Sequence, residues 1–450
     1  MTSATVDRMT KILVAQYLAK NDYEEALSNF LKESGLGRSA VDRSQDAFED
    51  LETIVTERIA FNEHQIAAKL AETSLNDDIN PIDSKFYLPS WDHTQKLQPV
   101  DFPSKPTAMA IDLELSVGSR LCVSTVDKQV YFYSPDLEVA KKLQSTSGVI
   151  KKCGVLPHNE ALMYYVCGMD GTLTIFDDSF DPKLKHKIHS RIVKHIDFFQ
   201  LKNSSQYLCF SFGLDNYIKI HLIDLASSSV LLKGSQKLIT ACTSFQLVQT
   251  PTKQPLLFFT RQDHSQLIIL ALHNGTLVEH CKVALNSAKF SLNSFNIQSL
   301  AILNPNDAKK SSHVSQNSHL RLIQEGSMVA VATSHTPYMR LIILEIPDIL
   351  SFEVGSDCQT QVYYDKVLRN IATVIPQDQF SQSIIKTCHR TGGIIVGSDS
   401  GVYAIDVSNC DSWHLIADGQ RVKTMNSLED TLAIAYANSD IEIFRWRQAT

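Results

Sequence analysis

Two regimes of hydrophobic spacing divide this chain. In the first, apolar side chains recur at three and four residues: Ile12, Leu13, Tyr17 and Leu18, then Tyr23, Ala26, Leu27, Phe30 and Leu31. That is the period of a helix burying one stripe. Asn21-Asp22 interrupts it with turn-forming side chains, and Asp22 stands where a carboxylate can cap the following helix. The pattern predicts two short helices. Helices under about 12–15 residues are marginal in water, so the stripe needs a partner surface. From Ala47 to Leu75 a second amphipathic stretch follows, with Phe48, Leu51, Val55, Ile59, Ile66 and Leu70 as its apolar positions. It predicts one long helix, suited to a coiled coil or to packing beside the hairpin, with its heptad broken at Asn62. Turn chemistry from Asn76 to Pro81 ends it.

From about Phe86 the helical period gives way to alternation, the signature of strands. A unit of apolar strand, tight polar turn and alternating strand recurs. Its clearest copy runs Tyr164-Tyr165-Val166-Cys167-Gly168-Met169-Asp170-Gly171-Thr172-Leu173-Thr174-Ile175-Phe176-Asp177, where Asp-Gly suits a two-residue hairpin turn. Further copies lie at Leu121–Tyr133, Leu208–Ile223, Leu256–Leu270, Met328–Leu344, Ile394–Ile405 and Leu432–Trp446. Their turns fall roughly 40 to 70 residues apart, a spacing that fits one four-stranded sheet per unit. Short sheets hide both faces and protect their edges when arranged radially. The run Ile441-Glu442-Ile443-Phe444-Arg445-Trp446 reads as the third strand of the last sheet. Its outer strand then comes from Phe86-Tyr87-Leu88 or, preferred because it lies nearest the first inner strand, Val100-Asp101-Phe102. Asn304 to Gly326 interrupts the fifth unit with a polar stretch expected to be a mobile loop.

Composition narrows the functional classes. The 450 residues are 44% hydrophobic, enough for a large core, and carry a formal net charge of -7. That charge gives no global attraction to nucleic acid or to anionic membrane. No run reaches the roughly 18 apolar residues of a membrane helix, and the N-terminal stretch lacks a signal-peptide core. A soluble intracellular protein is expected, cytoplasmic or nuclear. Nine cysteines are scattered singly, without a Cys-x-x-Cys pair, so neither zinc nor a disulfide framework is indicated.

Two resemblances add to this reading. Ile12, Leu13, Tyr17, Leu18, Tyr23, Ala26, Phe30 and Glu33, in their spacing over roughly residues 9 to 36, resemble the lissencephaly-homology (LisH) motif, a helical dimerisation module. Asp22 departs from the family's usual glycine, and a left-handed turn there still suits Asp. The resemblance implies dimerisation through Leu13, Tyr17, Leu18, Tyr23, Ala26 and Phe30. The repeated hairpins resemble a divergent WD-repeat β-propeller of seven blades. In that family a His, Ser, Asp and Trp form a buried hydrogen-bonded set; His189, Ser211 and Asp215 match three positions, and His221 stands where Trp is usual. Together with Asp170 and Gly171 these are the candidate blade-structural residues.

The expected fold class is therefore mainly β: a helical LisH module at residues 1–37, an amphipathic helix and linker at 38–82, and a seven-bladed propeller over 83–450 with the polar insertion at 304–326. The implied function is a non-enzymatic adaptor that forms a homodimer and binds protein or peptide partners on the propeller. Proteins resembling this layout include dynein regulators, transcriptional corepressor subunits and ubiquitin-ligase substrate receptors. No phosphate loop, nucleophile elbow or His-Glu-x-x-His helix is present, so no catalytic, cofactor-binding or metal-ligating residues are assigned. The one dense basic run, Lys183, Lys185, Lys187, Arg191 and Lys194, is a candidate partner surface, with His186, His189 and His195 interspersed. The turn aspartates Asp127, Asp170, Asp215 and Asp263 are expected at blade margins. The competing class is an enzyme using the central channel, which converging carboxylates of raised pKa would favour.

Overall fold

The computed structural model describes residues 3–41, 51–56, 59, 88–116, 120–145, 148–158, 161–201, 205–262, 264–273, 276–285, 295–304, 320–347, 361–416 and 419–448. The chain divides into two units, Met1–Ile79 and Asn80–Thr450.

In the first unit, helix α1 spans Ser3–Lys20 and helix α2 spans Glu24–Ser34. At 18 residues, α1 is longer than the short helix its apolar stripe predicted. The turn between them is a Schellman closure: the Tyr23 N–H donates to Leu18 O at 3.0 Å and the Asp22 N–H to Ala19 O at 3.4 Å. Asp22 holds the left-handed position, at φ 57. It thus closes α1 and does not cap α2, whose N-cap is Tyr23 without a side-chain hydrogen bond. Gly35, at φ 70, ends α2. Ile12 and Ala15 are buried, and the Gln16 amide donates to Ala40 O at 3.4 Å, tying α1 to the turn Arg38–Val41. By contrast α2 has no buried residue. Leu13, Tyr17, Leu18 and Phe30 are half-covered, whereas Ala26 and Tyr23 (53%) are exposed. Of the second amphipathic stretch, residues 51–56 are helical and the Lys20 ammonium pairs with Glu52; most of its remainder lies outside the described residues.

The second unit contains seven sheets among its described residues. Their first strands, in chain order, are Ala110–Ser116, Ile150–His158, Val193–Gln200, Cys242–Gln249, Ile297–Leu303, Ile384–Thr387 and Val422–Leu428. Successive strands pair antiparallel, so each sheet is a meander. Apolar clusters alternate with the sheets. Phe132 of the first sheet meets Tyr164 of the second, Cys167 and Phe198 bridge the second and third, and the series continues to Ile395 against Ile434 between sixth and seventh. It then returns to the start, where Ala433 and Ile443 of the seventh sheet pack on Leu113 and Val123 of the first. The contacts form a closed cycle. Seven of the eight described cysteines are buried, six of them in these strands, as small apolar fillers.

The last sheet is completed from the other end of the unit. Strand Gln95–Val100 pairs antiparallel with Ile441–Gln448, Gln95 opposite Gln448 and Val100 opposite Ile443. The closing strand thus lies N-terminal to the favoured 100–102 segment and shares only Val100 with it. Phe102 instead packs edge-on against Tyr133 at 5.0 Å. Just ahead of the closing strand, Trp91 lies 5.2 Å from Trp413 and 5.8 Å from Trp446, ring centroid to centroid. The Trp91 backbone N–H donates to Asp406 Oδ2 at 3.1 Å.

Two further strands depart from the expected four per sheet. Arg321–Leu322 lies parallel beside Val248 and Gln249 on the inner edge of the fourth sheet, and Gln361–Tyr363 runs parallel along its outer edge. The polar segment 304–326 is therefore not loop throughout: Ile323 is buried, its N–H donates to Gln249 O at 2.8 Å, and Asn304 accepts from Ser327 at 2.6 Å. Backbone pairing and one buried isoleucine override the polar composition there.

Candidate functional site

The seven first strands surround a cavity of about 1220 Å3. A strand at such a position leaves one row of backbone N–H groups unpaired, and polar side chains from the preceding sheet answer them. Asp112 Oδ2 accepts from Cys153 N–H at 3.2 Å, Ser244 Oγ from Leu300 N–H at 3.1 Å, and Ser299 Oγ from Ile385 N–H at 3.2 Å. Asp197 Oδ2 accepts from Leu247 N–H at 3.2 Å, and Gln298 Oε1 from Ser383 N–H at 2.9 Å. Each bond joins one sheet to the next. Six of the seven strands also carry a bulge between their first and third residues.

Charge converges on this lining. The Lys152 ammonium donates to Asp112 Oδ1 at 2.6 Å, both side chains being mostly covered. Burial works against the Lys152 charge, but Asp112 and Glu114 outweigh it and raise the amine. Burial raises the Glu114 carboxyl against the pull of Lys386 and Lys152, with Asn426 hydrogen-bonded to it. Burial also lifts the Asp197 carboxyl to about 7, despite the Leu247 N–H. The His195 imidazole is held well below its ordinary range by burial and by Lys194. It stacks on Phe245 of the next sheet at 5.8 Å. At the opposite mouth, Arg321 of the added strand donates to Thr387 of the sixth sheet.

None of the candidate residues from the repeat turns lies in this lining. His189 is buried, its Nδ1 2.9 Å from Asp215 Oδ1 and its Nε2 2.9 Å from Ser211 Oγ. Burial lowers the imidazole in spite of Asp215. Burial alone would raise Asp215, but the Ser190 N–H and His189 outweigh it and hold the carboxyl low. The array has the residue types of a nucleophilic triad. With Ser211 and His189 both sealed from solvent, it has no route to a substrate. His221 is buried beside it, with Nδ1 unpartnered.

Asp170 receives the Thr172 N–H at 3.0 Å and its hydroxyl at 2.9 Å. The turn it caps is a three-residue loop, not the two-residue one its Asp-Gly suggested: Gly171 N–H donates to Gly168 O at 3.2 Å, and only Gly171 has a positive φ, 84. Lys128, Asn216 and Ser439 take the same left-handed position in their turns. The exposed aspartates Asp127 and Asp170 sit at these turns, and Asp263 lies outside the described residues.

The basic run is divided by the fold. Lys183, Lys185 and Lys187 are exposed on the outer strand Pro182–Lys187, with Lys183 paired to Asp177 at 3.0 Å. Lys194 lies on the inner strand, its ammonium donating to Cys242 O at 2.8 Å, and Arg191 is exposed between the two. The repeat pattern of the sequence does not mark the channel residues. The signal that was present is charge at alternate positions inside apolar strands, as in Ile111-Asp112-Leu113-Glu114-Leu115.

A helical hairpin and a cyclic set of antiparallel sheets, four-stranded but for the extended fourth, define the class: a LisH module joined to a β-propeller. Residues 73–447 match the family described as UCP007778, beta-propeller domain, and residues 8–42 match UCP007778, LisH domain. The chain belongs to the UCP007778 family. It is 28% identical over 469 residues to the uncharacterized protein YGR117C of Saccharomyces cerevisiae, a match covering 97% of this chain and 96% of that protein. Among the described residues no helix is long and apolar enough to cross a membrane.

Proposed function

We propose that this protein is a non-enzymatic scaffold that forms a homodimer through α1 and α2 and offers a seven-bladed, WD-repeat-like propeller to protein or peptide partners in the cytoplasm or nucleus. The observation that carries the reading is the uncovered face of α2. An 11-residue helix with no buried residue gains too little from its own chain to be stable alone. A second hairpin laid against Leu13, Tyr17, Leu18, Tyr23, Ala26 and Phe30 would cover that face together with the half-covered stripe of α1. The cycle of seven interfaces supports the blade count, and the His189–Ser211–Asp215 array supports the WD-like assignment. Pairing two propellers raises effective concentration toward a repeated or dimeric target.

Light scattering on the full chain tests this directly. The wild type should have the mass of a dimer, and Tyr17→Asp or Phe30→Asp that of a monomer with an unchanged melting temperature for the propeller. Equal masses for wild type and both variants would overturn the dimer.

A second reading, proton-transfer catalysis in the channel, is favoured by the raised carboxyls of Glu114 and Asp197. Weighing against it, the lining carboxylates are engaged in structural bonds: Asp112 and Asp197 accept strand N–H groups and Glu114 bonds Asn426.

A further inference from the structure

The hairpin-turn end of the channel carries an imbalance of charge. The recurrent bulge takes the second residue of each affected inner strand out of the ladder. These residues are Ile111, Lys151, Lys194, Thr243, Gln298 and Lys423: three lysines and no carboxylate. Lys194 donates to a neutral carbonyl, Cys242 O. Lys151 and Lys423 have no ion-pair partner among the described residues. Burial lowers the Lys151 amine, Asp112 opposes this, and Lys152, Lys423 and Lys194 add to it. One residue further along its strand, His195 lines the channel with Nε2 buried and without a hydrogen-bond partner.

The carboxylates of the channel do not neutralise this end. Asp112 is bound by Lys152 and by the Cys153 N–H. Glu114 bonds Asn426 and faces Lys386, and Asp197 accepts the Leu247 N–H. At the far mouth, the Arg321–Thr387 bond reaches across from the fourth sheet to the sixth.

We propose that the turn-side mouth of the channel binds a small, multiply charged phosphate anion, held by Lys151, Lys194 and Lys423 with His195 Nε2 beneath them. Ammonium groups on flexible stems bind phosphate as point charges, and three of them at equivalent bulge positions of strands around one channel match an anion with several charged oxygens better than a single carboxylate. A neutral imidazole below supplies a further polar contact. The site is independent of the dimer reading, since every residue in it belongs to the propeller.

The test is isothermal titration of sodium triphosphate into the full-length protein at constant ionic strength. Saturable binding is expected, and Lys151→Ala/Lys423→Ala should weaken it by about tenfold or more, because charge-assisted contacts are lost. Absence of saturable heat with millimolar triphosphate would overturn the site, as would unchanged affinity in the double variant. Should that variant fold poorly, Lys423→Glu alone alters only an exposed side chain and is expected to weaken binding in the same direction. The His195 ring resonances of the wild type provide a second reading: they should shift on saturation, and their constancy would remove His195 and the mouth from the proposal.

Discussion

His189 is held by its ring and by what surrounds it. A Cβ on Gly171 would stand 2.1 Å from His189 O, and Gly171 also has a φ of 84. Gly171→Ala should therefore cost more than the roughly 1–2 kcal/mol of a left-handed alanine, since the backbone at His189 must also move. A lowered melting temperature is the measurement, and an unchanged one would mean the turn tolerates a methyl group. His221 carries a pH dependence. Burial, then the neighbouring His189 and Lys219, lower its imidazole to about 4. Its folded value thus lies below the unfolded one of about 6.5, so its contribution is complete above about pH 6.5 and is lost as pH falls toward 4. The loss amounts to about 2–3 kcal/mol over that window. His221→Phe should lose less stability than wild type between about pH 7 and pH 4.5, measured by urea unfolding; equal losses would place the acid sensitivity elsewhere. The histidine and turn residues were legible in the sequence because each sits at a fixed offset within a repeat. The channel carboxylates and lysines were not. Their meeting depends on which register position faces inward, and a bulge of one residue decides that.

At the level of elements, strands with two buried faces were easy to read, and edge strands were hard. Gln95–Val100 contains Lys96, two glutamines and Pro99, with only Gln95, Leu97 and Val100 half-covered. That is the composition of a strand whose outer edge must not pair further, and in a sequence it looks like a loop. The same holds for Arg321–Leu322 and Gln361–Tyr363, which are too short for any period to show. Closure by the first of these rests on Trp91. A Cβ on Gly393 would come within 2.2 Å of its ring and 2.7 Å of Ile405 O. Gly393→Ala should displace the indole and destabilise the propeller by about 1–3 kcal/mol, the usual cost of overpacking. All three tryptophans of the chain, Trp91, Trp413 and Trp446, belong to this one cluster. Intrinsic fluorescence therefore reports on ring closure alone. A red-shifted emission in the variant is expected, and an unshifted spectrum would show that Trp91 is not what fixes the seam.

For the whole molecule, the helical hairpin and the repeated sheets were predictable from two hydrophobic periods, 3.6 and 2, that do not overlap along the chain. What the periods could not supply is the order in which sheets meet, because interface contacts such as Ala433 against Leu113 join residues far apart in sequence. The channel likewise belongs to the assembled cycle and to no single repeat. Its polar lining bonds sheet to sheet, so substitutions at Asp112, Ser244 or Ser299 would be felt as lost stability before any effect on binding. Lys151 and Lys423, by contrast, have no side-chain hydrogen bond to a neighbouring sheet among the described residues, so their replacement isolates the phosphate site.

The pairing of Gln95–Val100 with Ile441–Gln448 also sets a timetable for synthesis. The closing strand leaves the ribosome before any of the sheets, and its partner leaves after nearly all of them. Until then the early strand has no ladder to join, and the first sheet presents Leu113 and Val123 with no seventh sheet against them. A nascent chain of this protein therefore spends most of its translation with two open apolar ends. Its dependence on chaperones should peak then, and end with the final strand.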